Sequence, residues 1–437
     1  MLYKYLMKIR KDTINKVYTV GSVCSGIEAA SVAWRPLSFK FEWFSGIGAF
    51  PSELLKHKYP FIENVGDMTK IPSKIKNGEI IVPDIICGGT PCQAYSLAGQ
   101  KKGLDDNRGN LTLKFVDVID ANDEMRIRLG LTKTIVFWEN VEGVLTDKTN
   151  AFGCFISALA GLPDIMENQC KWPKAGILRG SKRNVAWRVL DAKYFGVPQQ
   201  RRRLYLIASG KDILPENILF EEHINEPLPN LPNRPLSFIK GKHTFEIFRG
   251  YTDCLYSSYG TKWNGNAAAN NGSLFVVQDG RLRRLSPLEC ERLMGLPDNY
   301  TQIEGAKRTN RYQAIGNSWT IPVIEWIGKR IQTPAYFSLH NLNPTNVDAN
   351  IEYYDFNKGI IELSDTKSLN CSIKPENCKF RNMINIVEAV SEDIFISPTG
   401  CSGILRRANM RNQFINQRLK KYLIKTINTV EKYNIEK

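Results

Sequence analysis

The chain has 437 residues, 43% of them hydrophobic, and a formal net charge of +15 from 59 Lys plus Arg against 44 Asp plus Glu. That length holds a full core and two or three domains, and the positive excess fits either a polyanionic partner or a generally lysine-rich composition. Ten cysteines without a Cys-x-x-Cys pair and only four histidines argue against a zinc site and a disulfide framework, so no metal is expected; no run approaches the ~20 apolar residues that span a bilayer, and residues 1–12 lack the apolar stretch of a signal peptide.

From residue 17 to about 210 the chain reads as alternating strands and helices. An apolar run at 17–23 leads into Cys24-Ser25-Gly26-Ile27-Glu28 and then a helix-like stretch, the place for a nucleotide-like cofactor or, equally, a generic turn. Asp67, in Gly66-Asp67-Met68, is an acid at a second strand end. The run at 81–87 passes through Gly88-Gly89-Thr90 to Pro91-Cys92-Gln93. A rigid strand-to-loop turn would hold the Cys92 sulfur at the top of a sheet as a nucleophile; a free cysteine is otherwise a small buried hydrophobe. Helical patterns at 111–119 and 152–162 flank another apolar run, 134–138, which ends in Glu139-Asn140-Val141. Glu139 is either half of an ion pair or an acid with a raised pKa, and Asn140 would tie the loop down through its amide. A thiol and an acid at two strand ends suit addition to pyrimidine C6 with protonation of N3, which makes C5 nucleophilic. Gln199, Arg201 and Arg203 enter a fourth run at 204–208; alternation sends Arg201 and Arg203 to one face. This is the rhythm of an open α/β sheet with its site at the carboxyl ends of the strands.

Residues 211–282 are rich in proline, glycine and asparagine, with seven basic residues against eight acidic, and read as a small irregular module. The α/β signal returns at 285–293 and 322–331. Beyond 333, residues 336–400 are net acidic, while 401–437 carry nine basic residues against two acidic. That final stretch is either an exposed helix lying on phosphates or a solvated one.

The blocks Val23 to Ala29, Asp84 to Ser96, Glu139-Asn140-Val141, Gln199 to Arg203, Arg284 to Pro297 and Arg311 to Ser318 resemble, in order, those of the DNA cytosine-5 methyltransferase family of bacterial and phage type, over roughly residues 17–332. The resemblance implies an α/β fold: an open, mostly parallel sheet of the S-adenosylmethionine-dependent methyltransferase type with a small irregular target recognition domain. The catalytic domain would span 17–210 and 283–332, the recognition domain 211–282, and a C-terminal extension 333–437. It implies S-adenosylmethionine as methyl donor, held by Cys24, Ser25, Gly26, Ile27, Ile47, Asp67, Asn317 and Ser318. The partner is double-stranded DNA with a flipped cytosine: Cys92 adds to C6, Glu139 protonates N3, Arg203 contacts the base and Arg201 the neighbouring backbone or loop. Gln93, Ser96, Asn140 and Gln199 would complete the DNA side. The expected protein is a monomer in the cytoplasm of a bacterial or phage-infected cell, away from membranes; a solitary enzyme and the partner of a restriction endonuclease would carry the same motifs.

Two departures stand out. The family usually places an acid at the end of the second strand for the ribose hydroxyls, where this chain has Gly46. The segment Phe395 to Ala408 resembles one that some phage-type members carry inside the recognition region, yet here it follows the last catalytic block. The first departure motivates an alternative, a catalytically impaired DNA-binding homologue. An RNA cytosine-5 methyltransferase on the same fold is a further rival.

Overall fold

The computed structural model describes residues 16–90, 111–167, 171–224, 234–260, 271–348, 351–391 and 394–435. The chain divides into two compact units. One comprises Met1–Asp191, Arg202–Glu226 and Val323–Asn377; the other comprises Ala192–Arg201, Pro227–Pro322 and Cys378–Lys437. Among the described residues, no helix is long and apolar enough to cross a membrane.

The first unit is built on a ten-stranded sheet. Its strands are β1 (Tyr18–Val23), β2 (Phe39–Ser45), β3 (Glu63–Asn64), β4 (Ile85–Gly88), β5 (Ile135–Val141), β6 (Ala175–Arg179), β7 (Asn184–Asp191) and β8 (Arg202–Ser209), with Ile351–Asp355 and Asn346–Asp348 added at one edge. The spatial order is β3-β2-β1-β4-β5-β8-β7-β6, then the edge pair. Ladders from β3 to β5 are parallel; from β5 outward every ladder is antiparallel. The sheet is therefore mixed rather than mostly parallel. Connection length is the cause: only residues 180–183 separate β6 from β7, whereas a parallel crossover needs a dozen or more.

β4 and β5 are buried on both faces and accordingly read as continuous apolar runs. Trp43, Trp138 and Trp187 lie in one core cluster with Ile86, Phe115 and Phe152. Gly21 is needed for this packing, because a Cβ there would fall 2.2 Å from the Trp43 ring. β1 has β2 on one side and β4 on the other, so the connections diverge at the carboxyl ends, the switch point at which such sheets generally bind ligands. Register sets Val23 beside Gly88 and Gly88 beside Trp138, which levels the exits of β1, β4 and β5. A short strand, β9 (Glu221–Glu222), pairs with Lys367–Asn370 in a small separate sheet of this unit.

The second unit carries a four-stranded antiparallel sheet of β10 (Leu236–Lys240), β11 (His243–Ile247), β12 (Phe275–Gln278) and β13 (Arg281–Arg284). Asp279 and Gly280, both at positive φ, make the two-residue turn from β12 to β13. Part of what reads as irregular sequence is thus hairpin chemistry. Phe275, Val277 and Leu282 pack with Cys401, Ile404 and Ala408 of the helix Pro398–Met410 and with Leu419 and Leu423 of the helix Gln417–Ile435. The divisions expected at 282 and 332 differ from those found. Residues 283–322 group with the four-stranded sheet, and 333–377 belong to the first unit. Arg283 explains the former: it makes a bidentate pair with Glu289 (2.9 and 2.8 Å), both fully buried, which ties the helix Pro287–Met294 to β13.

Candidate active site

The loops that leave β1, β2 and β3 are stitched together at their first residues. The Ser25 amide donates to the Ser45 carbonyl (2.9 Å), the Ser45 amide donates to Ser25 Oγ (3.0 Å), and Ser45 Oγ donates to the Gly66 carbonyl (2.6 Å). On this platform Cys24 and Gly26 both take left-handed conformations, with φ of 53° and 54°, and Gly26 is exposed. Burial, and then the charge of Asp67, push the Cys24 thiol up to about 11, so it stays protonated and is not a nucleophile. Ile27 is buried. Ile47, by contrast, is 82% exposed, unusual for an isoleucine unless something apolar lies on it. Asp67 is exposed and caps the short helix Met68–Lys70 through the Thr69 amide (2.9 Å).

Gly46 is held by Asn64, whose amide accepts from its N–H and donates to its carbonyl, both at 3.0 Å. A Cβ on Gly46 would meet nothing within 4 Å. An open left-handed turn, a bare apolar side chain and an exposed carboxylate on one platform fit a nucleoside-bearing cofactor in kind, with the position for a ribose-binding acid left as glycine. Glu28 is fully buried at φ 59°: its Oε1 accepts from the Ser31 amide (3.1 Å), and its Oε2 has no partner in the structure. Burial pushes this carboxyl up to about 7. Of the two remaining expected cofactor residues, Asn317 is exposed at the end of the helix Arg308–Asn317, and Ser318 is buried with its carbonyl accepting from Arg201 (2.8 Å); both belong to the second unit.

Glu139 lies on β5 opposite Tyr205 of β8 and is 8% exposed. Its Oε1 is 3.2 Å from Nε of Arg203, which sits on the neighbouring strand opposite Val141. The cross-strand pair fixes the carboxyl at the sheet's end. Asn140 points to the adjacent exit: its amide donates to the Thr90 carbonyl (3.1 Å), while its Oδ1 accepts from the Val141 amide (2.8 Å). Thr90 is also gripped at its hydroxyl, by Trp138 Nε1 (3.0 Å) and Thr112 Oγ1 (2.8 Å). Thr90, the last described residue before Pro91, is thereby pinned to the strand that carries Glu139. Cys92, Gln93 and Ser96 themselves lie outside the described residues.

Arg201 and Gln199 belong to the second unit and are buried within it. Arg201 donates to the carbonyls of Leu255 (2.9 Å), Gly316 (3.1 Å) and Ser318 (2.8 Å). Gln199 donates to the Leu293 carbonyl (3.0 Å) and accepts from the Leu255 amide (2.9 Å). Both act as clasps between segments distant in sequence. Sequence reasoning missed Thr90, although it stands within the nucleophile block, and Asn64, for which nothing in the sequence is a signal.

The model of the C-5 cytosine-specific DNA methylase family matches residues 18–272 and 253–333. The chain is 34% identical to a protein of Escherichia phage P1 named DNA N-6-adenine-methyltransferase, over 71% of this chain and 60% of that protein, so it spans less than two thirds of that relative's length. It is 29% identical to the Type II methyltransferase M.SsoII of Shigella sonnei (61% of this chain, 67% of that one) and 26% identical to the Type II methyltransferase M.HhaI of Haemophilus parahaemolyticus (62% and 81%). With well over half of its length matched by that model, the chain belongs to the C-5 cytosine-specific DNA methylase family.

Proposed function

We propose that this protein methylates C5 of a flipped cytosine in a specific duplex DNA sequence. S-adenosylmethionine, the family's cofactor, would supply an electrophilic methyl group and would be held on the platform of Cys24, Ser25, Gly26, Ile47 and Asp67. The Cys92 thiolate forms a bond to C6 as N3 takes the Glu139 proton, leaving an enamine whose C5 accepts the methyl. Loss of the C5 proton then expels Cys92 and restores the ring. The observation that supports the reading is that one strand end carries both Glu139, held by Arg203, and Asn140, held on Thr90, which stands two residues before Cys92 in sequence. Asn317 and Ser318 would contribute to the cofactor side, and Gln93, Ser96, Arg201 and Gln199 to the DNA side, the last two by holding the second unit's loops in shape. The protein would act as a monomer in the cytoplasm of a bacterial or phage-infected cell, alone or beside a restriction endonuclease of the same specificity.

The phage P1 relative's name favours a second reading, methylation of adenine N6. That reaction needs no thiol, because the exocyclic amine is itself the nucleophile. Nucleoside mass spectrometry of plasmid DNA from expressing cells separates the two. The expected result is 5-methylcytosine, lost in Cys92→Ala and strongly reduced in Glu139→Gln, with bisulfite sequencing of the same plasmid placing it at one recurring short sequence. N6-methyladenine that persists in Cys92→Ala would overturn the cytosine reading.

A further inference from the structure

Within the second unit, the segment that follows the last catalytic block returns to the four-stranded sheet. Phe395 bridges Arg283 of β13, and the Ile396 amide donates to the Leu282 carbonyl (3.0 Å). The chain then turns at Ser397 into the thirteen-residue helix Pro398–Met410, with Ser397 Oγ accepting from the Gly400 amide (3.1 Å). Between this first turn, the end of β13 and the helix Arg308–Asn317 lies a cavity of about 260 Å³. Arg284 enters it from β13, Arg308 and Tyr312 from the helix, and Phe395, Ser397 and Gly400 from the returning tail; among the described residues, no acidic side chain lines it.

Two guanidinium groups therefore share one cavity with a helix amino terminus, and each favours negative charge there. Arg284 is oriented by donating to the carbonyls of Tyr259 and Gly260, both at 2.9 Å. Burial lowers its pKa, Tyr259, Tyr312 and Tyr256 oppose that, and the charge of Arg308 adds a smaller lowering, a repulsion that an anion between the two guanidinium groups would relieve. The cavity has ample room for one tetrahedral group, and its lining favours an anion by charge.

We propose that this cavity seats a backbone phosphate of the DNA strand, so that the tail after the last catalytic block is part of the DNA-binding surface. This rests on the DNA-substrate part of the proposed function and not on the cytosine chemistry. The cavity contributes position rather than base readout.

Two substitutions test it in the full-length chain, outside the catalytic machinery. Ser397→Asp retains a good helix cap and adds a negative charge at a helix amino terminus, so stability holds while the cavity becomes repulsive. Arg308→Gln removes an exposed cation. Fluorescence anisotropy with a duplex that holds the methylated site should show the Kd raised about tenfold by Ser397→Asp, with the melting temperature unchanged or higher. For Arg308→Gln, the slope of log K against log salt should shrink by ~0.9, one phosphate contact. Wild-type Kd and slope in both variants would remove the site. A melting temperature raised by millimolar inorganic phosphate in the wild type alone, with DNA slopes unaltered, would assign the cavity to a free anion and overturn the DNA assignment. Wild-type protein that binds duplex DNA with the expected slopes yet leaves cytosine unmodified would sink the methylation reading and keep the site.

Discussion

At Gly46 there is open space where a side chain would stand, and the backbone does not require glycine: no positive φ holds there, and Asn64 grips only the main-chain N–H and carbonyl. Glu42, on the same strand, already pairs with Lys40 at 2.9 Å. A carboxylate placed at 46 would regain a charge-assisted pair of hydrogen bonds to ribose, about 1.5–3 kcal/mol or roughly tenfold to a hundredfold in affinity. Gly46→Glu is thus expected to lower the Kd for S-adenosylmethionine in titration calorimetry; an unchanged or weaker constant would show that the second strand end does not face the ribose. Glu28 makes a different prediction. Its carboxyl titrates at about 7 in the folded chain against 4.5 when unperturbed, so the folded state holds the proton longer than the unfolded state. A raised carboxyl pKa means stability is greatest below pH 4.5, falls between 4.5 and 7, and is flat above. The loss is about 3 kcal/mol. Glu28→Gln should remove most of the difference in the first unit's melting temperature between pH 5 and pH 8; a variant that keeps the wild-type difference would place the titration elsewhere.

β5 shows at element scale why acid and nucleophile loop belong together. Its last residues alternate in role: Trp138 binds the Thr90 hydroxyl, Glu139 faces Arg203, and Asn140 binds the Thr90 carbonyl. On the proposed reading Asn140 would be a positioning residue for Cys92. Asn140→Ala should lower kcat by about a hundredfold through misplacement of the thiol while leaving the KM for DNA near wild type; a matching rise in KM would mean direct contact with DNA instead. Cys92, read from the pattern after Gly-Gly-Thr-Pro, lies outside the described residues; the strand-end carboxyl was legible from sequence, because an acid at the end of an apolar run is a local pattern. The support was not. That β8 lies antiparallel against β5, and so delivers Arg203 to Glu139, depends on pairing across some sixty residues of chain, which no periodicity encodes. Thr90, between glycine and proline, reads as turn chemistry although its hydroxyl and carbonyl are the anchor.

Across the whole molecule, the α/β half was readable because each strand carries its own apolar run, whereas the second unit's core is assembled from pieces that look incomplete alone. Phe248, Phe275, Val277 and Leu282 face Ile396, Cys401, Ile404, Leu419 and Leu423, so neither stretch buries its apolar side without the other. The net +7 of residues 401–437 therefore decorates helices with a structural inner face: Arg418 and Tyr422, on the helix that supplies Leu419 and Leu423, both bind Glu246 of β11. The tail's other portion pairs with β6 through Ile351–Asp355 and covers what would otherwise be an exposed sheet edge. Truncation after Thr333 should accordingly remove the second unit's fold and bare that edge, giving insoluble or partly unfolded protein rather than a soluble enzyme of altered specificity. Leu419→Ala is the milder probe. Loss of a fully buried leucine costs about 2–5 kcal/mol, and the loss should appear in the transition of the second unit. The first unit's melting transition should stay unchanged if the two units fold independently. A truncated chain that remains soluble, melts cooperatively and methylates the same sequence would show instead that these helices are an appendage.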